Sequence, residues 1–168
     1  MATLTTLTKD KYIPFLDTTQ SMDYSDCEWA AIDLSTVFEL AMNEETEEYD
    51  YICYAAPVTE VESNKPSMDQ EIRTVEGNKV HDFIAKQFYD MPIGDQCKTP
   101  FLLCFGGEGK KAWRGTCTLT NKTLNTVDKK YTFTMEMGGD IEKGTYAIAS
   151  GVPTFTPAKT AGQSIKEY

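Results

Sequence analysis

The stretch "KKYTFTMEMGG" (Lys129–Gly139) alternates without a fault, with Tyr131, Phe133, Met135 and Met137 on one side and Thr132, Thr134 and Glu136 on the other. Successive side chains of a β-strand point to opposite faces, so the pattern predicts a strand with one dry face and one wet face. Just upstream, "RGTCTLTNKTLNTV" (Arg114–Val127) is threonine-rich and also alternating. "TPFLLCF" (Thr99–Phe105) is a continuous apolar run too short for a helix of its own, as a central strand is. Downstream, "GTYAIASG" (Gly144–Gly151) reads as a further strand. "VPTFTPA" (Val152–Ala158) leaves in extended form, because its prolines forbid helix.

The first half of the chain extends this picture. "STVFELAMN" (Ser35–Asn43) and "EEYDYICYA" (Glu47–Ala55) are strand-like runs separated by an acidic break. "VTEVES" (Val58–Ser63) precedes the turn "NKPS", and "MDQEIRTV" (Met68–Val75) resumes strand character. A single helix is predicted over Asn78–Met91. Val80, Phe83, Ile84, Phe88 and Met91 recur at three- and four-residue spacing, Asn78 is the N-cap after Gly77, and "MPIG" stops the helix. The expected fold is therefore mainly β, a sandwich or barrel with one flanking helix over residues 30–157. A polar N-terminal arm, partly flexible, is expected over 1–29, and a C-terminal tail over 158–168.

The 168 residues are 40% hydrophobic, enough for one domain with its own core. No apolar run approaches the roughly 18 residues of a membrane span. The N-terminus has neither a basic start nor an apolar segment behind it, so no secretory signal is expected and synthesis in the cytoplasm is. Cys27, Cys53, Cys97, Cys104 and Cys117 are far apart and never in C-x-x-C spacing, which argues against zinc and a disulfide framework. Cys53, Cys104 and Cys117 sit in strand-like runs and are expected as small buried hydrophobes.

The net charge of −10 is unevenly spread. Between Tyr12 and Asn64 there are thirteen acids and no Lys or Arg, while the rest of the chain carries 13 acids against 16 bases. Such a chain does not grip nucleic acid, which requires clustered Lys and Arg. It has instead the makings of a head-to-tail contact between copies. Glu44, Glu45, Glu47 and Glu48 are candidates for one side of that contact, and Lys110, Lys111 and Arg114, the most basic local patch, for the other.

Chemistry finds little material. "GGDIEKGT" (Gly138–Thr145) departs from a phosphate-binding loop: the lysine precedes the last glycine, two acids sit inside, and a strand follows. Its glycines fit a connection between strands. "FGGEGKKAWRG" (Phe105–Gly115) reads as an inter-strand loop on the same grounds. His81 is the sole histidine and is expected on the polar side of the helix, so triads and histidine-rich metal sites are not expected. "DYSDCE" and "EETEEYD" do not match a calcium loop. No catalytic residue, metal ligand or cofactor site is assigned. Two alternatives are a monomeric binding module presenting Trp29, Trp113 or several tyrosines, and a hydrolase built on distant paired carboxylates.

The order of "STVFELAMNEETEEYDYI", "EVESNKPSMDQEI", the helix "VHDFIAKQFYD" and the ending "GGDIEKGTYAIASGVPTFTPA" resembles the major tail (tail tube) proteins of long-tailed, non-contractile phages of Gram-positive hosts. The resemblance spans about residues 30–157. It implies a β-sandwich with a flanking helix whose copies form hexameric rings. The rings would stack into a virion tail tube, assembled in the host cytoplasm, through which DNA passes without specific binding. It also implies a tape measure protein and a tail terminator protein as partners, with no cofactor and no membrane. Related tubes occur in contractile phage tails, tail-like bacteriocins and type VI secretion. On this reading the wet faces of two strands, Thr116, Thr118, Thr120, Thr132, Thr134 and Glu136, are candidates to face the lumen. There a sliding polyanion, with a charge about every 1.7 Å, is best met by few cations.

Overall fold

Alternation and turn chemistry produce eleven strands and one α-helix in the computed structural model, which describes residues 4, 6–107 and 109–158. In chain order these are β1 (Tyr12–Asp17), β2 (Trp29–Ala31), β3 (Glu39–Ala41), β4 (Glu45–Tyr49), β5 (Val58–Ser63) and β6 (Ser67–Arg73). Then come α1 (Lys79–Asp90), β7 (Lys98–Phe105), β8 (Lys111–Asn125), β9 (Lys130–Met137), β10 (Glu142–Ala149) and β11 (Val152–Pro157).

Nine strands form one antiparallel sheet in the order β2-β1-β7-β8-β9-β6-β3, with β10 added to β8 and β11 to β10. Its two end strands, β2 and β3, are successive pieces of one chain segment. That segment leaves β1 at Ile32, whose N–H donates to Pro14 O, and reaches β6 at Ser35, which bridges Ile72. The sheet thus rolls up and closes on itself, as removing edges requires. The interior holds Leu16, Met68, Ile72, Phe101, Leu103, Leu119, Phe133 and Met135, all at most 2% exposed. On β9 the dry row is the predicted one: Tyr131, Phe133, Met135 and Met137 are all buried.

The 15 residues of β8 serve two neighbours on one edge. Lys111–Arg114 pair with β10, and Cys117–Asn125 pair with β9, with an irregularity between Thr120 and Thr123. The β10–β11 hairpin brings Tyr146 and Phe155 onto a second, smaller apolar cluster of Phe15, Leu102, Cys104 and Ala112. The connection Gly138–Ile141 therefore does not join paired neighbours; it carries the chain from β9 across to the far part of β8. Gly144 is required there, because a Cβ would stand 2.1 Å from Thr156 O.

Several expectations need correction. Tyr12–Asp17, assigned to the arm, is a strand between β2 and β7, with Phe15 and Leu16 buried. β4 starts inside the supposed acidic break and ends at Tyr49. Residues 50–57 turn, because only a reversal there returns β5 to pair with β4. Cys53 lies in that turn and is exposed, while Cys104 and Cys117 are buried as expected. Asn78 caps α1 through its side chain, which accepts from His81 N, and Val80, Phe83 and Ile84 pack on the core. Yet the buried face also takes His81 and Gln87, whereas Phe88 and Met91 are 38% and 80% exposed. His81 is drawn in by the Tyr131 ring, 5.6 Å away. The tail expected over 158–168 lies, apart from Ala158, outside the described residues.

Candidate functional site

The wet face of β8 and β9 is built by sheet register. Thr118 stands opposite Glu136, and Thr120 opposite Thr134; beyond the irregularity Thr132 meets Thr123, with their hydroxyls in contact. Thr116, Thr118, Thr120 and Thr132 are half-buried and Glu136 is exposed. Thr134 differs from its neighbours: it is 9% exposed and its hydroxyl donates to Asp69 Oδ1 at 2.7 Å. Pairing with β6 adds Ser67, Asp69 and Glu71 to the same face, opposite Glu136, Thr134 and Thr132. These three lie about 65 residues from their partners in sequence, so local patterning gives no sign of them. The face is a lattice of hydroxyls and carboxylates in which Lys130 is held by Glu71 at 3.2 Å.

The basic patch divides. Lys110, in the β7–β8 hairpin loop, and Lys111, the first residue of β8, are exposed. That loop lies close on the preceding segment: a Cβ at Gly106 would meet Lys11 O at 2.3 Å, and one at Gly107 would touch Leu7. Arg114, by contrast, is occupied within the subunit. Its guanidinium pairs with Glu142 at 2.5 Å and is flanked by the rings of Tyr24 and Phe155, 4.3 and 4.4 Å from their centroids. It fastens the β10–β11 hairpin and the 24–26 turn to the barrel, and is not free for a neighbour.

β4 and β5 form a separate two-stranded sheet outside the barrel. Residues 42–66 hold seven carboxylates (Glu44, Glu45, Glu47, Glu48, Asp50, Glu60 and Glu62) and one cation, Lys65, paired with Glu45 at 3.5 Å. Glu47 stands directly opposite Glu60, an unfavourable cross-strand pair. Tyrosines offset this: Tyr49 Oη donates to Glu62 at 2.9 Å and Tyr51 Oη to Glu60 at 2.9 Å, and these bonds raise both phenol pKa values. At the tip Ile52 is 106% exposed and Tyr54 60%.

A groove of about 860 Å³ opens between Tyr12–Pro14 of β1 and the segment Ala31–Phe38, which beyond β2 meets its neighbours at isolated pairings such as Ile32 with Pro14 and Ser35 with Ile72. Gln70 of β6 lines it, 2% exposed, and neither polar atom of its side-chain amide has a hydrogen-bond partner. A smaller recess lined by Leu7, Lys9, Tyr12 and Phe38 continues it toward the basic loop.

Little here resembles an active centre. Among the described residues no three His, Cys, Asp or Glu side chains converge as metal ligands do. Asp23 of the "DYSDCE" run is engaged locally by Ser25 N and Oγ. Trp113 packs edge-on to Phe105 at 4.9 Å, and Trp29 lies against the smaller apolar cluster, so neither forms a binding platform.

The architecture, mainly β with one helix, is that of chains found in C6-symmetric tails. A chain from the tail of an empty gene transfer agent particle, reconstructed with helical refinement and C6 symmetry, matches 81% of this chain and 97% of its own length. The TM-score is 0.58 and the identity 12%. A chain of the anti-feeding prophage baseplate, six-fold symmetrised, matches 86% of this chain and 98% of its own at 8% identity and TM-score 0.47. No family model and no curated protein matches the sequence.

Proposed function

We propose that the chain is the structural subunit of a phage or phage-like tail tube, self-assembling into hexameric rings that stack around a DNA-conducting lumen. The observation that carries this is a fold shared, over nearly the whole of the other chain, with a C6-symmetric tail component. Its acidic hairpin, a two-stranded sheet separate from the barrel with an exposed apolar tip, is what a subunit completed by its neighbours displays. The hydroxyl and carboxylate face of β8, β9 and β6 supplies a lining to which DNA does not adhere, and Thr116, Thr118, Thr120, Thr132 and Glu136 are its solvent-reaching members. Thr134, closed off by Asp69, supports that face from beneath.

Negative-stain electron microscopy of the concentrated protein, with sedimentation velocity alongside, tests the reading. Six-fold rings or hollow tubes are expected; a monomer at every concentration, salt and temperature tried, with or without preformed tail ends as nuclei, refutes it. The lining is tested by Glu136→Lys in assembled particles, where tubes of normal appearance with slowed DNA release are expected. Unchanged release would remove these strands from the lumen.

A further inference from the structure

The β4–β5 hairpin and the groove beside Tyr12 are each incomplete, and their chemistry matches. The hairpin tip is apolar, with Ile52 wholly exposed, on a stalk carrying seven carboxylates. The groove is walled by Tyr12, Ile13, Val37 and Phe38, and Lys9 stands at its rim. The contacts of Gly106 with Lys11 and of Gly107 with Leu7 bring the loop bearing Lys110, and Lys111 next to it, to the same end. Asp10 and Asp33 also line the groove, but Asp10 faces Lys11 at 3.7 Å and Asp33 accepts from Asn78 Nδ2 at 3.0 Å. Asp10 is thus paired, while the Asp33 carboxylate keeps its charge and stands against the three cations Lys9, Lys110 and Lys111.

Geometry decides whose hairpin enters. The hairpin is rooted at β3, immediately after Phe38, so its base adjoins its own groove. Extended strands rise about 3.3 Å per residue, which carries the tip roughly 25 Å away from that base. Its own tip therefore does not reach back. An isolated two-stranded hairpin is also marginal in water, more so with Glu47 opposite Glu60, so the arm gains order from a surface outside its own chain.

We infer that the hairpin tip, residues 51–54, seats in the Tyr12–Phe38 groove of a second copy, with its acidic stalk lying along Lys9, Lys110 and Lys111. This rests on the assembly reading above and gives it a contact. Tip and groove are different patches, so the contact is heterologous: repeated, it closes a ring or extends a filament.

The exposed Cys53 makes the contact measurable. In protein with C27S and C97S, the substitution T36C places a second thiol on the groove wall. Mild oxidation of assembled material should link copies into a ladder that disappears when C53S is added. I52D and K110E/K111E should leave the monomer's unfolding transition unchanged and raise the concentration needed for assembly at least ten-fold. Tubes that form normally without cross-linking, or with I52D at wild-type concentration, overturn the docking and leave the tube reading standing. Failure of the unmodified protein to assemble under any condition overturns both.

Discussion

Replacing Asp17 by asparagine sets two large effects against each other. The Asp17 side chain is fully buried, and no Lys or Arg is among its hydrogen-bond partners. It accepts four hydrogen bonds: Oδ1 from Thr19 N at 3.0 Å, Thr19 Oγ at 2.7 Å and Glu28 N at 3.1 Å, and Oδ2 from Ser21 N at 2.7 Å. Together they tie residues 18–28 to the end of β1. Burying an unpaired carboxylate costs several kcal/mol, and on that count alone asparagine would stabilise. But the donors are fixed by the loop, and an Asn amide offers only one acceptor atom. Keeping the Oδ1 trio turns an NH2 group against Ser21 N–H, which loses a charge-assisted bond of about 1.5–3 kcal/mol and stays buried opposite a second donor. The other three bonds lose their charge assistance as well. A net loss of about 2–4 kcal/mol is expected. At about 2–4 °C per kcal/mol for a chain of this size, the midpoint falls by roughly 4–16 °C. Thermal and urea unfolding of D17N measure it, with hydrogen exchange at Ser21 and Glu28 locating the damage. A midpoint equal to or above that of the unmodified protein would mean that desolvation outweighs the four bonds, and the reasoning would be wrong.

Gly144→Ala should cost about 1–3 kcal/mol, since its Cβ would meet Thr156 O and Phe155 Cζ at 2.1 and 2.8 Å; an unchanged unfolding midpoint would show that β11 yields freely. Thiol labelling of the native protein should reach Cys53 first, with Cys27 slow because burial and the Asp17 charge push its thiol up to about 12. Cys104, likewise pushed up to about 12 by burial, and Cys117 should label only on unfolding. Prompt labelling of either would contradict the closed barrel. The neutral phenols of Tyr49 and Tyr51 donate to carboxylates, so their folded pKa values lie above the ordinary 10.0. The stability they lend the hairpin is complete below pH 10 and is lost as pH rises through the raised values. Tyr49 Oη also donates to Glu47 at 3.2 Å, so ultraviolet titration should show two late-ionising phenols that become ordinary in E47Q/E60Q/E62Q, and no difference between the two titrations would count against these bonds.

Where burial follows a local period, the sequence was readable. β5 has the bounds that its residues predict, Asn78 caps the helix as expected, and β9 buries the four residues that its alternation selects. What escaped depends on distant partners. "YIPFLD" holds a proline and only six residues, and becomes a strand because β7, far along the chain, pairs with it. His81 is buried by Tyr131 rather than by its helical position. Arg114 looked like a free cation because Tyr24, Glu142 and Phe155 lie remote in sequence on either side of it. The groove arises where the segment between β2 and β3 pairs with β1 and β6 only at isolated points, and no single segment carries a mark of that.

Pairing between β1 and β7 imposes a timetable on synthesis. Thr99 Oγ donates to Asp17 O across 82 residues, so the first strand to leave the ribosome waits for one of the later ones. At translation speeds of about 5–20 residues per second the delay is roughly 4–16 s. During it Tyr12–Pro14 have no barrel to complete, and the wall of the groove does not exist. The acidic hairpin, whose two strands are local, is by then already made. A nascent chain therefore has its hairpin before it has the groove inferred to receive one, and its half-built neighbours on the same messenger have no groove either. On the docking inferred above, assembly would be postponed to finished molecules.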